Sequence, residues 1–189
     1  PNILVNPNQG IAVGMASNMC SFNLQEVCEA TIAYIKNPNC DILEIMPAPD
    51  FPLGAEILYN KEQMREIYET GRGSFKMRAV YEYDKANNCI EIKEIPYTTT
   101  IEAILSKVMD LVKANKLKEI PDARDETGIN GFKPTFDSKR GTDPDAPMLK
   151  LYKLTPLEDS FACNFNILID NIPKVLGVKQ IIDEWVKFR

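Results

Sequence analysis

The stretch SFKMRAVYEYDKANNCIEIK, residues 74–93, alternates apolar and polar side chains, while TTTIEAILSKVMDLVKANK, residues 98–116, repeats its apolar residues every three or four. Phe75, Met77, Ala79, Tyr81 and Tyr83 interleave with Lys76, Arg78, Val80 and Glu82; after the polar DKANN, Ile90 and Ile92 interleave with Glu91 and Lys93. A period of two belongs to a strand with one wet face, and the polar turn between the two runs makes them a β-hairpin. In the second stretch Ile101, Ile104, Leu105, Val108, Leu111 and Val112 share one helix face, and Lys113 and Lys116 stand near its C-terminal end, where the dipole favours cations. Hairpins and helices in mixed order predict an α+β fold, with a mixed or antiparallel sheet and packed helices.

Outward from this centre the same signals recur. NLQEVCEATIAYIKNP, residues 23–38, reads as a helix: Asn23 caps it, Glu26 stands three residues on, and Pro38 follows the stop. Leu24, Val27, Cys28, Thr31, Ile32 and Ile35 form its expected buried stripe. Three prolines between residues 47 and 52 forbid regular helix and suggest a rigid extended crossing. A short helix over 60–70 is expected to stop at Gly71 in the left-handed region. Strands are expected at 119–126 and 131–139, the second confined to an edge or a bulge by Pro134. A helix near 144–154, a strand at NFNILID and a final amphipathic helix over 177–188 complete the set, without internal repeats or low-complexity linkers.

Composition limits the chemistry. With 44% hydrophobic and 26% charged residues, the 189-residue chain has the balance of a globular protein. It has no apolar run of the ~20 residues needed to cross a bilayer, so a soluble, cytosolic product is expected. It begins with Pro1 and not methionine, which suggests a piece of a longer polypeptide. The five cysteines are widely spaced and nowhere form a CxxC pair, which argues against a disulfide framework. With no histidine, Cys/His zinc sites and Ser-His or Cys-His nucleophile systems are excluded within this chain. The net charge of −5 argues against a chain built mainly to coat nucleic acid, yet residues 61–118 carry eleven bases against nine acids and form the basic part.

Four groupings could carry chemistry. The carboxylates of DARDE at 122–126 and TDPD at 142–145 could hold a divalent metal. Their spacing fits local roles better: Asp122 and Asp125 flanking a turn with Arg124 as partner, and Asp143-Pro144 opening a helix. ETGRGS, 69–74, offers backbone amides near Arg72 for a phosphate, or is simply a helix stop leading into a strand. Lys76 and Arg78 on the wet face of the hairpin, with Arg72 just before them, make the best basic stripe, suited to a polyanion or to solvent. GIAVG, residues 10–14, reads either as a buried strand packed closely at its glycines or as an exposed apolar wedge, with Ile11 able to slip between base steps and kink duplex DNA.

Taken together, PNILVN, GIAVGMASN, NLQEV, PAPDFPLGA, YETGRGSFKMRA, EIPY, ARDET, LYKLTPLEDSF and KQIIDEW resemble, in order and spacing over essentially the whole chain, the A subunit of bacterial type IIA DNA topoisomerases (gyrase or topoisomerase IV). The resemblance implies a fragment of the breakage-reunion subunit of an ATP-dependent enzyme that passes one duplex through another. It implies the tower domain over 1–189: a DNA-facing, Gly-flanked loop over 1–20, a hairpin and α+β core over 74–170, and a helix over 177–189 leading toward a coiled coil. The DNA-cleaving tyrosine of that family stands in an Arg-Tyr-Thr context that none of the seven tyrosines here has, so no catalytic residue is expected in this chain. The implied partners are double-stranded DNA, the ATPase and metal-binding B subunit, and a second copy of the A subunit. Mg2+ and ATP come through the B subunit, with no cofactor on the fragment. The family's intercalating isoleucine maps onto Ile11, with Gly10, Val13 and Gly14 around it; Arg72, Lys76 and Arg78 are further DNA-binding candidates. Two departures stand out: Pro134 and Ser138 interrupt GFKPTFDSKR where the family has a continuous alternating strand, and SNMCSFNL replaces its usual Pro-Pro-His. The alternatives are a metal-dependent enzyme on the 122–145 carboxylates, or a free-standing DNA-binding or protein-interaction module without catalysis.

Overall fold

Side-chain oxygens of Asn23, Asp41, Asn60 and Thr100 cap helix starts, and Gly71 stops one helix. A computed structural model describes residues 1–128, 133–139, 141 and 143–189. After a 3-10 turn at Asn2–Leu4 come strands β1 (Asn8–Ala12) and β2 (Met15–Met19), helices α1 (Leu24–Lys36) and α2 (Ile42–Ile45), strand β3 (Glu56–Leu58) and helix α3 (Lys61–Thr70). Strands β4 (Arg72–Arg78), β5 (Val80–Asp84) and β6 (Cys89–Glu94) precede helix α4 (Ile101–Lys113), then β7 (Ala123–Asp125), β8 (Pro134–Asp137) and helix α5 (Asp145–Leu154). Strands β9 (Glu158–Asn164), β10 (Asn166–Ile169) and β11 (Ile172–Val175) lead to helix α6 (Val178–Phe188). The expected α+β class is the one observed, with antiparallel pairing throughout the ladders described below.

The chain divides into two compact units: residues 1–51, 59–75 and 161–189, and residues 52–58 and 76–160. In the first, β1 pairs with β2 antiparallel and Asn18 of β2 pairs with Asn164 of β9. Its core buries Leu4, Phe22, Met46, Met64, Ile67 and Phe165. Phe161 stacks on Phe75 with centroids 5.6 Å apart and meets Phe51 at 5.2 Å, burial that contributes about 1.5–3 kcal/mol per large apolar side chain. Asn23 caps α1 by accepting from the amides of Gln25 and Glu26. Gly71 stops α3 at φ 72°, as expected, and a Cβ there would lie 2.3 Å from the Leu176 carbonyl oxygen, so glycine is required twice over.

The second unit holds a four-stranded sheet in the order β5-β6-β8-β7, and the last residues of β4 pair with β3 in the same unit. Its core gathers Ile90, Ile92 and Phe136 from the sheet against Ile104, Val108 and Leu151 from α4 and α5. The α4 face is the one its period indicates, since Ile101, Leu105 and Val112 also pack, partly buried, against this core.

Three expectations need correction. On α1 the buried residues are Val27, Ala30 and Thr31, while Leu24, Cys28, Ile32 and Ile35 are exposed; packing chose the alanine side of the helix over the aliphatic side. The alternation from Phe75 to Tyr83 is two strands in two sheets, because the chain turns at Ala79, whose amide donates to the Leu157 carbonyl and whose carbonyl accepts from the Tyr152 hydroxyl. The hairpin is therefore β5–β6 alone, and Lys76 and Arg78 lie on β4. Pro134 does not confine its strand to an edge: β8 lies between β6 and β7, with the proline at its first position. Of the strand expected over 131–139 and the segment 131–140, residues 131, 132 and 140 lie outside the described residues, as does Thr142 of TDPD. The strand expected at NFNILID is the end of β9 and β10, whereas α2, β3 and β11 carry no periodic signal long enough to announce them.

Candidate nucleic-acid interface

GIAVG is neither a buried strand nor a loop; it forms the end of the β1–β2 hairpin. Val13 and Gly14 are its two-residue turn, and Gly14 has φ 85°, the positive value a type II turn demands at that position. No residue of β1 is buried. Ile11 is 84% exposed and Val13 fully so. Two aliphatic side chains held in water at the end of a two-stranded arm are the reverse of hydrophobic burial.

The two glycines differ. Gly14 is required by the turn, whereas Gly10 has no positive φ and a Cβ added to it would meet nothing within 4 Å. The backbone angle and the open space at position 10 do not call for glycine.

On its other side the hairpin is tied down by asparagines. Ile11 pairs with Ala16 across the ladder, and the Ala16 carbonyl accepts from Asn164 Nδ2 at 2.8 Å and from Asn166 Nδ2 at 3.3 Å. Asn18 Nδ2 donates to the Ala162 carbonyl at 2.6 Å. Sequence reading singles out neither Asn164 nor Asn166; two asparagines at alternate positions in CNFNILI are the faint signal for them.

The basic candidates are unequal. Arg72 is exposed and makes no ion pair among the described residues. Lys76 and Arg78, in the second unit, share one carboxylate: Glu158 accepts from Lys76 Nζ at 3.2 Å and from Arg78 Nε at 2.5 Å. Burial pushes the Glu158 carboxyl up, but the two cations outweigh it and hold the group below its ordinary range. Arg78 also lies over the Tyr152 ring, 5.0 Å from its centroid. These two residues, an exposed lysine and a half-buried arginine, therefore share one carboxylate.

The remaining groupings are structural. The Arg72 amide donates to Thr70 Oγ1 and the Gly71 amide to the Ile67 carbonyl, so ETGRGS is a helix stop with these two amides occupied. Arg124 pairs with Glu126 and Asp137, and not with Asp122, which precedes β7, or Asp125, which ends it and accepts from the Thr127 amide. Asp143 accepts from the Asp145 amide at the start of α5, the helix-opening role expected of it. Among the described residues the one convergent set of metal-ligating types is Asp84, Cys89 and Glu91. Asp84 is engaged by the amides of Ala86 and Asn87, and Glu91 by Lys93 and Lys133. No helix among the described residues is long and apolar enough to cross a membrane.

The sequence profile of the DNA gyrase/topoisomerase IV family of A subunits matches residues 1–189. The A subunit of DNA gyrase from Borreliella burgdorferi is 40% identical over 100% of this chain, which covers 24% of that relative. Its counterpart from Clostridium acetobutylicum is also 40% identical over 100% of the chain, which covers 23% of that protein's length. The chloroplastic/mitochondrial counterpart from Arabidopsis thaliana is 38% identical over 100% of the chain and is covered to 21%. The chain thus spans about a quarter or less of the length of the curated relatives it matches.

Proposed function

The chain belongs to the family of DNA gyrase/topoisomerase IV A subunits, and from that premise we propose that it is the DNA-bending part of the breakage-reunion subunit of an ATP-dependent type IIA DNA topoisomerase. In this role it performs no bond chemistry. It holds the gate segment bent while a tyrosine elsewhere in the full-length protein attacks the phosphodiester. The partners are double-stranded DNA, the B subunit of the enzyme, and a second copy of the A subunit; the place of action is the cytoplasm, at the nucleoid. Magnesium and ATP enter with the B subunit. The acidic groups of this chain at 122–126 are spent on Arg124 and backbone amides and do not form a ligand set.

The observation that carries the proposal is the exposure of Ile11 at the end of a two-stranded arm. Inserted between two base pairs, its side chain leaves water and gains about 1.5–3 kcal/mol. Unstacking a step costs a few kcal/mol and bending a 20–30 bp site costs about 1–6 kcal/mol. The wedge offsets part of that cost, and phosphate contacts must supply the rest. Such a device selects sequences by deformability and not by base edges. Arg72 is the basic candidate freest to contribute.

The test is Ile11→Ala in the full-length protein reconstituted with its B subunit. Energy transfer between the ends of a labelled duplex reports bending, and covalent trapping reports cleavage. Both are expected to fall by about tenfold or more, the factor that corresponds to losing ~1.4 kcal/mol. Parent-like bending and cleavage would overturn the proposal.

A further inference from the structure

We propose that Asn164 and Asn166 are positioning residues for the wedge, two side-chain amides that clamp the carbonyl of the residue directly opposite Ile11 and so set the angle at which the hairpin meets DNA. The inference rests on the reading of Ile11 as the intercalating residue and concerns what aims it.

The alternation of an antiparallel ladder provides the reason. Val13 and Gly14 form a two-residue turn, so the pair that closes it, Ala12 and Met15, exchanges backbone hydrogen bonds. The next pair, Ile11 and Ala16, is then a non-hydrogen-bonded one, in which the Ala16 carbonyl points out of the hairpin. That carbonyl is where Asn164 Nδ2 and Asn166 Nδ2 arrive, at 2.8 and 3.3 Å. Two donors on one acceptor use both of its lone pairs.

The hairpin is anchored at its base by the buried Met19 at the end of β2, and towards its tip the asparagines take over. β1 buries no side chain, so no packing on that strand resists a swing. The registered β2–β9 ladder contains the single pair Asn18 and Asn164, which acts as a pivot. The Asn18 amide donating to the Ala162 carbonyl closes the base of the clamp. What the site uses is the Asn164 donor, aimed at the Ala16 carbonyl.

The experiment compares Asn164→Ala/Asn166→Ala with Ile11→Ala and the parent, each as the full-length protein reconstituted with its B subunit. Duplex binding is read by anisotropy, bend angle by end-to-end energy transfer and cleavage by covalent trapping. With the clamp removed, binding is expected to stay within about twofold, because phosphate contacts dominate affinity. The bend distribution broadens and cleavage falls by about tenfold or more, since a misplacement near 1 Å can cost up to about a hundredfold. Asn164→Asp keeps the size and removes the donors, so it tests the same point if the double variant fails to fold, and it is expected to follow the alanine variant. Asn166→Gln, which keeps an amide donor, is expected to recover part of the cleavage. If the double variant and Asn164→Asp bend and cleave like the parent while Ile11→Ala does not, the clamp is wrong and the wedge stands. If Ile11→Ala also behaves like the parent, the wedge reading fails and the clamp with it. Equal losses of binding, bending and cleavage in the clamp variants would overturn a positioning role in favour of general damage.

Discussion

Glycines 10 and 14 look interchangeable in GIAVG, and the structure separates their tasks. An alanine at 14 must adopt the left-handed region, at a cost of roughly 1–2 kcal/mol, so Gly14→Ala is expected to loosen the turn. At 10 the φ is unexceptional and the space is open, and exchanging glycine for alanine within a strand gains roughly 0.5–1 kcal/mol. Gly10→Ala should therefore melt no lower than the parent by differential scanning calorimetry. If the open space receives the DNA backbone, the same variant should bend a duplex several-fold less well. Parent-like bending by Gly10→Ala would show that DNA does not approach there. The candidate site was half legible in the sequence for a related reason. An apolar run between glycines fits both a buried strand and an exposed arm, and residues 7–18 contain nothing that says which. The deciding contacts come from Asn164 and Asn166, about 150 positions away in the chain, at a distance where local pattern carries no information.

At the scale of elements, period reveals a helix more reliably than it reveals the side that is covered. On α4 the aliphatic face and the buried face coincide. On α1 they do not: Val27, Ala30 and Thr31 are buried, while Leu24, Ile32 and Ile35 face outward at 62%, 53% and 59% exposure. Close packing against a neighbouring element accommodates the small side of a helix, a preference that hydrophobicity alone does not express. In the 189-residue chain, Ile32→Ala is expected to change the unfolding free energy by no more than ~0.5 kcal/mol, as for surface substitutions generally. Val27→Ala should cost roughly 2 kcal/mol from lost burial and a residual cavity. Urea denaturation measures both, and a cost at Ile32 as large as that at Val27 would contradict the observed face. The break at Ala79 hides for a different reason. Side-chain alternation runs from Phe75 to Tyr83 with only Val80 out of pattern, and what divides the strands is the backbone bonding of Ala79 to Leu157 and Tyr152.

For the molecule as a whole, an excess of five acids means that much of the basic charge is neutralised from within, and the second unit shows where. Glu91, Glu119 and Glu158 there each take one or two lysine or arginine partners, and all three carboxyls are held below their ordinary range. Glu91 is the best placed to test this, with a side chain only 12% exposed. It accepts from Lys133 at 2.8 Å and from Lys93 at 2.7 Å, and those two hydrogen bonds, Lys133 first, lower its pKa from the ordinary 4.5. A group whose folded pKa lies below its unfolded one stabilises fully above the unfolded value, and the contribution disappears as pH falls through the folded value. Glu91→Gln, which keeps the shape and removes the charge, is therefore expected to melt below the parent at pH 7. The gap should begin to close as pH drops past 4.5 and vanish once the parent's own carboxylate is protonated. Circular dichroism melts at a series of pH values measure the difference directly. A gap that stays constant down to strongly acidic pH would assign the loss to packing and not to charge, and would remove Glu91 from the account of how this acidic chain keeps its basic residues paired.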